Sequence, residues 1–225
     1  MIFPLSIAGA ILILVGGRAW RIHARGKAGE LRVRMMLFAL RAPALNDIIL
    51  NGQRGLTQID HVVLTRSGLL VLETKNFSGQ LYDQGRRKPW LQYLGGIQRP
   101  LHNPQDQNYG HRKAVIENSG IRPQEVFDAV VLAGDAQFPR GAPEGVIHLK
   151  SLPALLRKLG GTREIPDAYR EAWAHLKTRI QGSQEARVAQ MRKVTGGGLN
   201  YWIQAHGPWL AALGFGCFVA GIFPW

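Results

Sequence analysis

Residues 57–76 read TQIDHVVLTRSGLLVLETKN. Two runs rich in Val, Leu and Ile, Thr57–Thr65 and Leu69–Asn76, flank Arg66-Ser67-Gly68, which is a hairpin signal. Both runs are apolar on both faces, so they read as central, buried strands. Three charged residues interrupt them: Asp60 in the first, Glu73 and Lys75 in the second. With Arg66 and Ser67 as the central pair of the turn, Asp60 and Glu73 face each other across the hairpin, their Cβ atoms about 5 Å apart. Lys75 projects from the same face as Glu73, two residues on.

Like charges opposed in an apolar sheet are destabilising unless something compensates. A divalent cation does so, and two carboxylates at that spacing are hard oxygen ligands suited to Mg²⁺ or Mn²⁺. A neighbouring lysine could orient an attacking water or stabilise charge developing on a phosphate. The competing reading is a buried ion pair between Lys75 and Glu73 or Asp60. A third carboxylate, Glu30, sits behind Gly26 and Gly29 on a basic segment, where an i,i+4 bridge to Arg34 is the alternative. After Asn103, Gln107 and His111 share one helical face with Asn108 beside them; they line a phosphate-facing cleft or form a solvated face.

Outward from the hairpin the pattern is α/β. Apolar positions in residues 26–42 predict a helix that Pro43 ends. Asn46–Leu50 is a strand candidate, and residues 81–99 read as further β structure with an exposed basic turn, Gly85-Arg86-Arg87-Lys88. A helix is expected from Asn103 or Pro104 to Asn118, strands at Val126–Ala133 and Val146–Leu149, a capped helix at Ser151–Leu159, and an amphipathic helix at Pro166–Ile180.

The 225 residues are 46% apolar and 19% charged, which excludes a disordered or collagen-like chain; one cysteine excludes a disulfide framework and any Cys-pair zinc site. The net charge of +13 falls wholly on residues 18–206, because residues 1–17 and 207–225 contain no Asp, Glu, Lys or Arg. Such an excess points to a polyanion, nucleic acid or an anionic membrane. Residues 2–17 are long enough, with the next few, to span a bilayer, and Arg18, Arg21, Arg25 and Lys27 follow them. Residues 207–225 form a second candidate span between Trp209 and Trp225, with Arg187, Arg192 and Lys193 upstream. Both rules favour one topology, with residues between the spans in the cytoplasm. Ala212, Gly216 and Ala220 form a small-residue stripe, and Cys217 reads as packing.

Three segments resemble the NERD (nuclease-related) domain of the PD-(D/E)XK nuclease superfamily: Gly29-Glu30, residues 57–79 (TQIDHVVLTRSGLLVLETKNFSG), and residues 103–111 (NPQDQNYGH). Trp90, in Lys88-Pro89-Trp90, falls where the family usually has an aromatic. The resemblance covers roughly residues 26–120 and departs from the superfamily pattern in having Ile59, not proline, before Asp60. It implies an α/β restriction-endonuclease-like core, a central mixed sheet flanked by helices, in which Asp60, Glu73 and Lys75 form the metal and catalytic centre. It also implies that Glu30 is an additional acid and that Gln107 lies in a helical motif near the site.

The expected organisation is a transmembrane helix at 1–20, a nuclease-like domain at 21–135, its α/β extension at 136–181, a linker at 182–206, and a transmembrane helix at 207–225. The expected activity is Mg²⁺- or Mn²⁺-dependent hydrolysis of DNA, with RNA left open, on the cytoplasmic side of a bacterial inner membrane. Asp60 and Glu73 would bind metal. Arg86, Arg87, Lys88, Arg32, Arg34 and His111 would contact nucleic acid. The rival readings are a non-catalytic, membrane-tethered nucleic-acid-binding module and a scaffold whose basic residues grip anionic lipid.

Overall fold

In a computed structural model, the backbone is described for residues 3–182 and for Ala186, Val188, Ala189, Ala212 and Leu213. The chain divides into two units, Met1–Lys27 with Val188–Trp225, and Ala28–Arg187. The first helix, α1, is Phe3–Ala39, longer than the helix expected at 26–42 because no proline falls between Pro4 and Pro43. It stops as Pro43 requires. Arg41 takes a left-handed conformation (φ 52°), the Ala42 amide donates to the Leu37 carbonyl and the Arg41 amide to the Phe38 carbonyl, a paired C-terminal cap.

Among the described residues no helix is long and apolar enough to cross a membrane. Of the expected first span, few side chains are described; apart from Ala212 and Leu213, the span at 207–225 with its small-residue stripe and Cys217 lies outside the described residues, as does most of the linker at 182–206.

The larger unit is an α/β fold with a central mixed sheet flanked by helices. Strands β1 (Ala44–Gly52), β2 (Gly55–Thr65) and β3 (Gly68–Lys75) form an antiparallel meander. Next come β4 (Gln80–Tyr82), β5 (Trp90–Leu94) and β6 (Ile97–Leu101), then helix α2 (Pro104–Ser119) and strands β7 (Val126–Leu132) and β8 (Val146–His148). The five-stranded sheet has the order β1-β2-β3-β7-β8, with β7 parallel to both neighbours. A parallel β3–β7 pair needs a crossover, and α2 supplies it. The expected β structure at 81–99 forms a separate three-stranded sheet, β4-β5-β6, inserted between β3 and α2.

Helices α3 (Leu152–Lys158) and α4 (Asp167–Thr178) complete the unit. Each face of the sheet has its own core. On one, Val62, Leu64, Leu69 and Val71 pack with Ala114 and Val115 of α2 and Trp173 and Leu176 of α4. On the other, Val63, Leu70 and Leu72 pack with Val33 and Leu37 of α1 and Leu152 and Leu156 of α3. Trp90 is fully buried in a third cluster and meets Phe138 edge-on at 5.1 Å, holding the small sheet against β7. The cap expected from Ser151 does not form: a 3₁₀ turn, Leu149–Ser151, runs straight into α3 and leaves Ser151 in helical angles with no capping bond.

Candidate active site

The β2–β3 hairpin turns at Arg66-Ser67 with Thr65 opposite Gly68, in the register expected from the sequence. Only glycine fits at position 68: its φ is +133°, and a Cβ there would lie 2.0 Å from the Glu125 carbonyl oxygen. The pairing runs to His61–Leu72, one step short of Asp60–Glu73. Beyond it, the Thr74 amide donates to Asp60 Oδ2 at 2.7 Å, so the Asp60 side chain takes the place of a backbone acceptor. The β1–β2 ladder skips the same step, with Asp47 at φ 55° where it would face Asp60. This local break keeps Asp60 half-buried beside the ladder's end instead of deep in the sheet.

Glu73 is buried, with 1% exposure, on the α2 side of β3. Lys75 Nζ lies 2.5 Å from Glu73 Oε1 and donates to Gln107 Oε1 at 3.1 Å. His111 Nδ1 is 3.1 Å from Glu73 Oε2. Both of those atoms are buried, and neither has a well-aligned hydrogen bond among the described residues. Burial alone would raise the Glu73 pKa; contact with His111 and the Lys75 charge outweigh it and hold the carboxyl below its ordinary value. Asp60 goes the other way. Burial first, then the Glu73 and Glu30 charges, push it up to about 8 against the opposing Thr74 amide and Lys75.

Helix α2 brings Gln107 and His111 into this arrangement. Asn103 caps its N-terminus, accepting from the Gln105 amide at 2.9 Å, and Pro104 opens its first turn. Asn108, buried beside them, donates to the Ala129 carbonyl at 3.0 Å and more weakly to that of Val71, bridging the parallel strands β7 and β3. Helix α1 brings Glu30. The preceding Gly29 is buried so tightly that a Cβ there would lie 2.9 Å from Asn76 Cβ, just past β3.

The expected phosphate-contacting residues divide. Arg86, Arg87, Lys88 and Arg34 are exposed. The basic turn is held onto the start of α2: the Arg87 amide donates to Asp106 Oδ2 at 2.9 Å, and Asn103 Nδ2 reaches the Gly85 and Lys88 carbonyls at 3.3 and 3.2 Å. The Arg86 guanidinium and the Lys113 ammonium lie 5.9 and 4.9 Å from the ring of Tyr109, itself exposed. Arg32, exposed as well, donates to the Ala133 carbonyl at 2.9 Å, tying α1 to the end of β7. His111 is 5% exposed and faces Glu73. Sequence reasoning missed the clamp by Asp106 and the strand bridge by Asn108; an acid in the first turn of α2 was a helix-start signal but did not point to the basic turn 19 residues earlier.

Two acids, a lysine and a helical glutamine thus meet at the end of a central strand of an α/β sheet, an arrangement suited to hydrolytic chemistry on an anionic substrate. Residues 25–133 match the family model described as nuclease-related domain (NERD), and this segment of the chain belongs to that family. An uncharacterized protein of Bacillus anthracis is 37% identical over 95 residues, 40% of this chain and 45% of that protein. The match therefore spans less than half the length of that relative. No solved structure matches the chain.

Proposed function

We propose that this chain is a membrane-anchored, metal-dependent nuclease of the PD-(D/E)XK type that hydrolyses DNA on the cytoplasmic side of a bacterial inner membrane. The convergence of Asp60, Glu73, Lys75 and Gln107 carries the reading. The residues fit a divalent cation. Glu73 Oε2 is a buried carboxylate oxygen without a well-aligned donor, and Asp60 beside it is unfavourable as an anion until something positive arrives. Among the described residues no group of three or more His, Cys, Asp or Glu side chains is placed to hold a metal ion, which leaves Asp60 and Glu73 as the two carboxylates this reading assigns to it. That suits Mg²⁺ or Mn²⁺, which keeps waters and takes substrate phosphate oxygens alongside one or two carboxylates.

Asp60 and Glu73 would hold the ion, which when bound would polarise the phosphate and acidify a water. Lys75, fixed by Glu73 and Gln107, would orient the attacking water and donate to charge developing on the phosphate. Glu30 would add negative potential at the Asp60 side. Arg86, Lys88 and Arg34 would hold phosphates by charge, independently of base sequence. Support for the anchor comes from the charge-free stretches 1–17 and 207–225 with their basic flanks.

A second reading, a membrane-tethered nucleic-acid-binding module without catalysis, draws on one observation: both Glu73 oxygens already have cationic or imidazole neighbours. Incubation of the full chain with supercoiled plasmid, with and without Mg²⁺, separates the two. Nicking that needs the metal and disappears in Asp60→Ala and Glu73→Ala supports the nuclease. Salt-sensitive binding without nicking supports the module, and cleavage unchanged in both variants rejects the assigned centre. Extraction of membranes with alkaline carbonate tests the anchor, which release of the chain into the supernatant would refute.

A further inference from the structure

One face of α1 is accounted for: Val33 and Leu37 are buried against the sheet. The opposite face is not. Leu31, Met35 and Phe38 are 56%, 57% and 78% exposed, although each is large and apolar. Their spacing of i, i+4, i+7 places them on one narrow stripe, continued one turn back by the exposed Ala28. This is the two-row spacing of a helix that packs along a second helix, narrower than the broad apolar face of a lipid-embedded helix. Leu31, Met35 and Phe38 are also the anchor spacing seen when one amphipathic helix docks on another.

The residues beside the stripe fix the charge of the occupant. Arg34 precedes Met35, Arg41 lies seven residues further on, and Arg32 is on the other side. From Ala28 to Arg41 the single acid is Glu30, which faces the Asp60 side. A second copy of the chain would set these arginines against their own kind. The chain's own tail is no better matched, since residues 186–225 contain no Asp or Glu.

We propose that the Leu31–Met35–Phe38 stripe is a docking surface for an acidic amphipathic helix of another protein, with apolar residues at seven-residue-repeat core positions and Asp or Glu flanking them. The surface lies on the face of α1 away from the sheet, so peptide binding is read without Asp60 or Glu73, although Arg34 at its edge is shared with the phosphate contacts proposed above.

The probe is a fluorescent helical peptide of about four heptads with Leu in the core positions and Glu in the flanking ones, compared with the same peptide carrying Lys. Binding to the full chain is read by anisotropy. The expected result is binding of the Glu peptide alone, weakened at least about tenfold in Met35→Ser/Phe38→Ser, whose unchanged melting temperature shows an intact fold. Arg34→Glu is expected to shift preference toward the Lys peptide. No binding of the Glu peptide, equal binding of both peptides, or unchanged binding by the double serine variant overturns the proposal. So does a double variant that loses only flotation with phosphatidylglycerol vesicles, which would make the stripe a lipid contact.

Discussion

The Thr74 amide and Asp60 Oδ2 are 2.7 Å apart, so an acidic side chain completes the backbone bonding where the β2–β3 ladder stops. Asp60 is therefore a structural acceptor as well as a candidate metal ligand. Asp60→Asn keeps an acceptor for the amide and removes the ionisable carboxyl; Asp60→Ala orphans the amide, at a cost of about 1–3 kcal/mol. The expected outcome is that both variants lose metal-dependent nicking while only the alanine variant loses stability in urea unfolding.

The pH dependence of stability follows from the same residue. The Asp60 pKa rises on folding from 3.8 to about 8, so between those values the folded chain holds a proton the unfolded chain has released. Stability of the metal-free protein is then expected to fall as pH rises from about 4 to about 8, by at most about 1.4 kcal/mol per pH unit. Glu73, shifted downward, acts outside this window: its contribution is present above its unfolded value and is lost at lower pH. Urea unfolding at a series of pH values should show the slope in the native chain and its absence in Asp60→Asn. Calorimetry at pH 7 should find about one proton released per Mg²⁺ bound.

His111 touches Glu73 and is too buried to meet a phosphate. His111→Ala is expected to weaken Mg²⁺ binding about 10–100-fold, the usual effect of losing a residue that orients a metal ligand. Its nucleic-acid affinity without metal should be unchanged. Isothermal titration with Mg²⁺ and a filter-binding assay in chelator measure the two quantities separately.

Gly29→Ala is expected to impair the site from a distance. A Cβ there would lie 2.9 Å from Asn76 Cβ, so α1 must shift and carry Glu30 with it, costing about 1–3 kcal/mol of stability. Gly26→Ala is the control, because a Cβ there meets nothing within 4 Å among the described residues, and alanine favours helix by up to about 1 kcal/mol. Thermal melting and nicking rates of the two variants should diverge in sign.

The basic turn and an arginine tied to a backbone carbonyl should differ in salt response. Arg86→Ala with Lys88→Ala is expected to lower the slope of log binding against log salt by about 1 to 2 and leave the melting temperature unchanged. Arg32→Ala, which frees the Ala133 carbonyl, should instead reduce stability. A salt titration of DNA binding beside a melting curve distinguishes them.

The hairpin was readable because two local signals agree: a two-residue turn at Arg66-Ser67 and a side-chain period that puts Glu73 and Lys75 on one face. The break at Asp60 was not, since its one sequence sign is Asn46-Asp47 on the partner strand, residues that tolerate left-handed angles without by themselves marking a break in a strand. Gln107 and His111 were readable as one face of a helix. Which way that face points was hidden, because residues 104–113 of α2 are polar almost all round and only Ala114 and Val115 mark the core side. The Arg32–Ala133 and Arg87–Asp106 bonds join residues 101 and 19 apart, and no local pattern encodes such meetings.

The inserted sheet β4-β5-β6 leaves the chain immediately after Lys75 and returns it immediately before α2. Both of its attachment points are therefore neighbours of the reactive groups, while none of its strands supplies one. Its strands pair with none of those that carry Asp60, Glu73 and Lys75, and it meets the rest of the unit through Trp90 against β7 and the basic turn against α2, as a jaw on a fixed hinge would. Exchanging residues 77–102 between family members is the direct way to transplant substrate preference while keeping the chemistry of the recipient.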